Sequence, residues 1–197
     1  MFLIGKHVLM KPVLSCRGTH FLAIIGLALC MSVDVCSVQA DEDGHSLRAG
    51  IVKVDITPET PVKMAGYAGR TALSTGIHDR LYARVTAFQS GKKRLVLVST
   101  DLIGFYEADE SFRAAIRERF DLQPGELFLS SIHTHSGPTP MLENREHPNN
   151  VEYTRKLKAT LLDAITQAFD KMGPVWMGAG RGHSPVGSNR REKRPNG

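Results

Sequence analysis

Between residues 80 and 100 the chain alternates. In "RLYARVTAF", Leu81, Ala83, Val85 and Ala87 fall on one side and Tyr82, Arg84, Thr86 and Phe88 on the other, which predicts a strand. "QSGKK" then turns the chain into "RLVLVSTD", and the two runs together predict an antiparallel hairpin. The unbroken apolar run at residues 95–98 predicts a central strand covered on both faces. Upstream, "AGIVKVDITPETP" brings Ile51, Val52, Val54 and Ile56 into a first strand that stops at Pro58 and Pro61. Residues 64–76, "MAGYAGRTALSTG", follow neither period and are predicted to be a loop, of a length that is often functional inside a compact domain.

Helical spacing takes over downstream. Asp109 is placed to cap a helix whose apolar stripe is Phe112, Ile116 and Phe120. "QPG" closes that segment and "ELFLSSI" supplies the next strand, so the spacing predicts a βαβ unit with parallel strands and a right-handed crossover. In "PNNVEYTRKLKATLLDAITQAFDKMGP" the buried face is Val151, Leu157, Leu161, Leu162, Ile165, Phe169 and Met172, and Gly173-Pro174 stop the helix. "VWMGAG" predicts one more short strand. The fold class is α/β, a mixed sheet with a βαβ unit and flanking helices, and there are no internal repeats.

The first forty residues stand apart. Lys6, Lys11 and Arg17 precede the apolar run at residues 21–33, and "SVQA" ends at Ala40 before the acidic "DED". A basic start, a short apolar middle and small residues before the cut describe a secretory signal peptide over residues 1–40. The expected location is secreted or periplasmic, with Met10 as an alternative start. An uncleaved anchor fits less well because the run is short for a spanning helix, and a lipoprotein fits less well because bulky Leu29 precedes Cys30. Cleavage would remove Cys16, Cys30 and Cys36, every cysteine in the chain, and with them disulfide and thiolate chemistry. It would also remove three basic residues and one acid, lowering the formal charge from +5 to +3. The composition, 42% hydrophobic and 23% charged, excludes wholesale disorder. Five basic residues between positions 181 and 194 face one acid, Glu192, without interleaved aromatics, so a solvated end fits better than nucleic-acid binding.

Candidate chemistry gathers at "LFLSSIHTHSGPTP", residues 127–140. His133 and His135 come at the carboxyl end of a predicted strand, the edge at which open α/β sheets place ligands. If the strand persists, a spacing of two puts both imidazoles on one side. They are then a zinc-binding pair, one ligand beside one substrate contact, or a surface pair at a Ser-Gly-Pro turn. Asp101 ends the preceding strand on the same edge, where a carboxylate binds metal, orients a histidine or caps a loop. His78 reads as a hydrogen-bonded structural histidine. Ser136 lacks a Gly-x-Ser-x-Gly setting, and Gly66, Gly69 and Gly76 do not make a dinucleotide-binding loop.

Taken in order, "AGIVKVDITP", "MAGYA", "GIHDRLYAR", "LVLVSTDLIG" and "SSIHTHSGPTP" resemble the amino-terminal catalytic domain of the neutral/alkaline (non-lysosomal) ceramidases. The likeness runs from about residue 49 to residue 190. It implies a zinc amidohydrolase that cleaves the amide of ceramide into sphingosine and a fatty acid. It implies that His133 ligates Zn2+ and that His135 is the catalytic, substrate-contacting imidazole. "GSNRR" resembles the family's Asn-Arg element, which implies that Arg190 binds the substrate's polar head. In such a reaction zinc makes water nucleophilic at neutral pH and stabilises the developing oxyanion.

Two departures qualify the resemblance. In the family a second histidine, a glutamate and a tyrosine from later in the chain complete the zinc site. Residues 41–197 are therefore expected to be an incomplete amino-terminal portion of a larger catalytic domain, inactive alone, since a catalytic zinc takes about three protein ligands. The family's "HTHSGPGG" is "HTHSGPTP" here, which opens the choice of substrate. The expected partner is a lipid or other N-acyl amide, with peripheral membrane contact and no nucleic acid. The alternatives are a non-catalytic secreted domain of the same fold and a zinc amidase for a different N-acyl substrate.

Overall fold

The computed structural model describes residues 46–143, 147–184 and 187, together with the strand segments Leu3–Gly5 and Cys36–Ser37. The signal-peptide reading of residues 1–40 falls outside them apart from those two segments. The chain divides into two compact units: residues 40–175 form one, and residues 1–39 with 176–197 the other. In the smaller unit β8 (Trp176–Ala179) pairs antiparallel with β1 (Leu3–Gly5) on one side and β2 (Cys36–Ser37) on the other.

The larger unit is built on a five-stranded mixed sheet of order β6-β5-β4-β3-β7. The predicted hairpin is present: β4 (Tyr82–Ser90) and β5 (Lys93–Thr100) are antiparallel, joined by a two-residue turn in which Gly91 takes a φ of 54°. β3 (Arg48–Asp55) flanks β4, and the short β7 (Gly173–Pro174) closes that edge. On the other side β6 (Leu127–Ser131) runs parallel to β5, with α1 (Asp109–Phe120) as the crossover.

Alternation decides what the sheet buries. Ala83, Val85, Ala87, Val96 and Val98 are wholly buried on one face, packed against Phe112 and Ile116 of α1 and Leu161 and Ile165 of α2 (Pro148–Asp170). α2 lies close: a Cβ at Gly50 on β3 would stand 1.8 Å from the backbone oxygen of Ala168, so glycine is what lets the helix approach the strand. The other face departs from expectation. Ile51, Leu97 and Phe128 share one row across the strands, yet Ile51 and Phe128 are 51% and 61% exposed. The apolar run at residues 95–98 is thus covered fully on one face only.

Helix ends also differ from the sequence reading. α1 starts from Ala108 after a 3-10 turn, with no side-chain cap. Asp109 lies inside the first turn and accepts from Arg113 Nε at 2.6 Å, one turn on. At α2 the cap is His147, whose Nδ1 accepts from the backbone N–H of Asn149 at 3.2 Å, with Pro148 at the first helical position.

Candidate active site

Strand β6 stops at Ser131, but its hydrogen bonding to the β5 segment continues irregularly. Ile132 N–H donates to Thr100 O and Thr134 N–H to Leu102 O. Between these bonds His133 adopts a left-handed backbone, φ 64°, a conformation that costs a non-glycine residue about 1 kcal/mol or more and concentrates at functional sites. The two histidines therefore do not share a strand face, because the strand does not persist through them. The kink brings them together in another way: their ring centroids are 5.2 Å apart, at 65°.

Each ring has its own support. His133 Nδ1 lies 3.0 Å from the carbonyl oxygen of Ile103. A carbonyl only accepts, so Nδ1 carries a proton, and in the neutral ring Nε2 holds the lone pair. That is the arrangement in which a histidine ligates a metal, with the far nitrogen anchored to a backbone acceptor. The His135 ring lies against Gly66, at φ 103°, where a Cβ would fall 2.3–2.7 Å from His135 Cγ, Cβ and Nδ1. The edge of Tyr67 meets His135 at 5.1 Å and 82°. His133 is exposed and His135 half-buried.

The loop predicted over residues 64–76 supplies this cradle. Ala65 N–H donates to Gly137 O at 2.9 Å and Thr139 N–H to Lys63 O at 3.3 Å, a short antiparallel pairing centred on Met64 and Pro138. Asn150, fully buried in the first turn of α2, ties both strands of that pairing: its Oδ1 accepts from Lys63 N at 2.8 Å, and its Nδ2 donates to Lys63 O and Thr139 O, both at 2.9 Å. Sequence reasoning missed Asn150. The available signal was positional, since residues 150, 154, 157 and 161 make one helical stripe and two of its members are polar.

The other candidates divide. Both carboxylate oxygens of Asp101 are engaged with β4, Oδ1 accepting from Arg84 at 2.7 Å and Oδ2 from Tyr82 N–H at 3.0 Å. It fastens strand ends. His78 is exposed and pairs with neighbouring Asp79, Nδ1 to Oδ2 at 2.8 Å. Arg190 and most of the basic tail lie outside the described residues. A cleft of about 490 Å³ opens beside the loop, lined by Thr134, Ser136, Met64, Ile77 and His78 among others, but neither His133 nor His135 lines it.

A metal at this edge would take His133 Nε2. Among the described residues no group of three or more His, Cys, Asp or Glu gathers to complete such a site, so further ligands would come from outside them. No helix among the described residues is long and apolar enough to cross a membrane.

Comparison with known proteins places the segment. The family model for the N-terminal domain of the neutral/alkaline non-lysosomal ceramidases matches residues 47–178. The sequence is 34% identical over 138 residues to neutral ceramidase 1 of Arabidopsis thaliana, covering 64% of this chain and 17% of that protein. It is 36% identical over 130 residues to neutral ceramidase 2 of the same plant, covering 61% and 15%. The crystal structure of neutral ceramidase from Pseudomonas aeruginosa superposes with a TM-score of 0.53 at 26% identity, covering 66% of this chain and 22% of that one. The chain spans about a sixth of the length of these plant relatives.

Proposed function

The chain belongs to the neutral/alkaline non-lysosomal ceramidase family through that family's N-terminal domain, and from this we propose that it serves a zinc-dependent amidohydrolase that cleaves ceramide into sphingosine and fatty acid. The observation that carries the proposal is His133: a strained strand-end histidine, anchored through Nδ1 to Ile103 O and offering Nε2 at the carboxyl edge of the sheet.

The roles follow from position. His133 contributes one ligand. Zinc, when bound, makes water nucleophilic at neutral pH and polarises the amide carbonyl. His135, one ring-width from His133 and braced by Gly66 and Tyr67, holds or moves a proton at the substrate's amide. The exposed side chains of Tyr67, Tyr106 and Ile132 stand on the same group of loops and suit an apolar N-acyl substrate. Arg190 as the contact to the polar head rests on the resemblance of "GSNRR" alone. Export rests on the pattern of residues 1–40.

A chimera tests this reading. Residues 47–178 replace the corresponding segment of the Pseudomonas aeruginosa neutral ceramidase, and fatty-acid release is measured from ceramide and from short-chain N-acyl amides. Release from ceramide is expected. Release from the short amides alone would transfer the site to a different amidase. A folded chimera inactive on both would favour a domain that kept the fold without the chemistry.

A further inference from the structure

Two carbonyl oxygens beside His135 face one donor. In the pairing of residues 63–66 with 135–139, the Ala65–Gly137 and Lys63–Thr139 bonds use the N–H groups of Ala65 and Thr139. The oxygens of Ala65 and His135, at the open end of that pairing, are met instead by Arg70. Its Nη1 lies 2.9 Å from His135 O and 3.3 Å from Ala65 O. One guanidinium nitrogen carries two N–H bonds, so it can serve both acceptors at once. The guanidinium also lies over Tyr67, its carbon 4.9 Å from the ring centroid, and Arg70 N–H closes a turn on Tyr67 O at 3.0 Å.

We propose that Arg70 is the positioning residue for His135. Arg70 does not touch the face that His135 offers to a substrate. It fixes the His135 backbone to the residues 65–67 loop, and so presses the imidazole onto the bare backbone of Gly66 and the edge of Tyr67. Arginine suits the task because its planar head donates and stacks together, whereas a lysine ammonium is a compact, freely rotating point charge. The functional meaning rests on the reading of His135 as the substrate-side imidazole. The clamp itself rests on geometry alone.

The test is therefore spectroscopic and uses the full 197-residue chain labelled at histidine. In the unsubstituted protein, the His135 ring should show nuclear Overhauser contacts to the Gly66 α-protons and the Tyr67 ring. Arg70→Ala should abolish these and move the His135 Cε1–H signal toward its unfolded position, while His133, anchored separately to Ile103 O, moves several-fold less. Arg70→Lys should recover part of the His135 shift. Gly66→Ala should displace the ring with the clamp intact, and keeps the idea falsifiable if Arg70→Ala does not fold. In the chimera, Arg70→Ala should lower kcat about 10- to 100-fold with zinc content unchanged. Unchanged His135 contacts in folded Arg70→Ala, or His133 and His135 moving equally, would overturn the clamp and leave the amidohydrolase reading standing. An inactive chimera with the spectroscopic pattern intact would do the reverse.

Discussion

His133 Nδ1 and the carbonyl oxygen of Ile103, 3.0 Å apart, couple the loops that follow two adjacent parallel strands. The bond fixes which imidazole nitrogen carries the proton. Nitrogen-detected NMR of His133 should show that its neutral ring is the tautomer protonated at Nδ1. The opposite tautomer would remove the physical basis for metal ligation at this residue.

Asn150 holds the site from behind. Asn150→Ala strips three hydrogen bonds from Lys63 and Thr139 and leaves part-buried backbone groups unpaired, at a cost of about 2–4 kcal/mol. The urea midpoint should fall accordingly, with the slope of the transition unchanged. A loss under about 0.5 kcal/mol would show that water replaces the amide there.

Gly50 sets the spacing of α2 on the sheet. The atom that a Cβ would strike is a backbone oxygen, which cannot swing aside, so Gly50→Ala should destabilise by about 3 kcal/mol. Wild-type-like thermal unfolding would mean that α2 shifts freely, contrary to the packing of Ile165 and Ala168, both wholly buried.

Neither Asn150 nor Gly50 was legible in the chain, whereas the framework around them was. Strand pairing, the parallel crossover and α2 follow from periods of two and 3.6, because burial acts on every turn of an element. The capping role given to Asp109 failed because a 3-10 turn from Tyr106 leads directly into α1. The shared face of His133 and His135 was conditional on a persisting strand, and the left-handed residue that ends it has no periodic signature. Arg70 was invisible for the same reason, since its partners are two loop carbonyls, Ala65 O five residues away and His135 O 65 residues away.

Two titrating groups give stability predictions of opposite sign. The Asp55 carboxyl is pushed down to about 2, chiefly by the Thr57 side chain and backbone N–H, with Arg80 Nη1 at 2.6 Å adding to it. Its contribution is complete above about pH 4 and lost as pH falls toward 2. Asp55→Asn should therefore destabilise at neutral pH, by less than about 1 kcal/mol for so exposed a group. The gap should close in acid; a gap constant with pH would assign the effect to packing.

Tyr153 behaves in reverse. Burial, with the charge of Asp55 adding, pushes its phenol well above the usual range, and its hydroxyl donates to Ile56 O at 3.0 Å. Its contribution is complete below about pH 10 and falls as pH rises past that value. Tyr153→Phe should cost about 1–1.5 kcal/mol at neutral pH and should flatten the alkaline loss of stability. An unaltered alkaline limb would place that titration elsewhere.

The most direct test of the central claim is the zinc content of the chimera carrying residues 47–178. With His133 in place, zinc should be retained at one ion per site. His133→Ala should lose the metal and ceramide hydrolysis together, while His135→Ala keeps the metal and loses most of its turnover. Zinc retained in full by His133→Ala would contradict the assignment of His133 as a ligand and the account built on it.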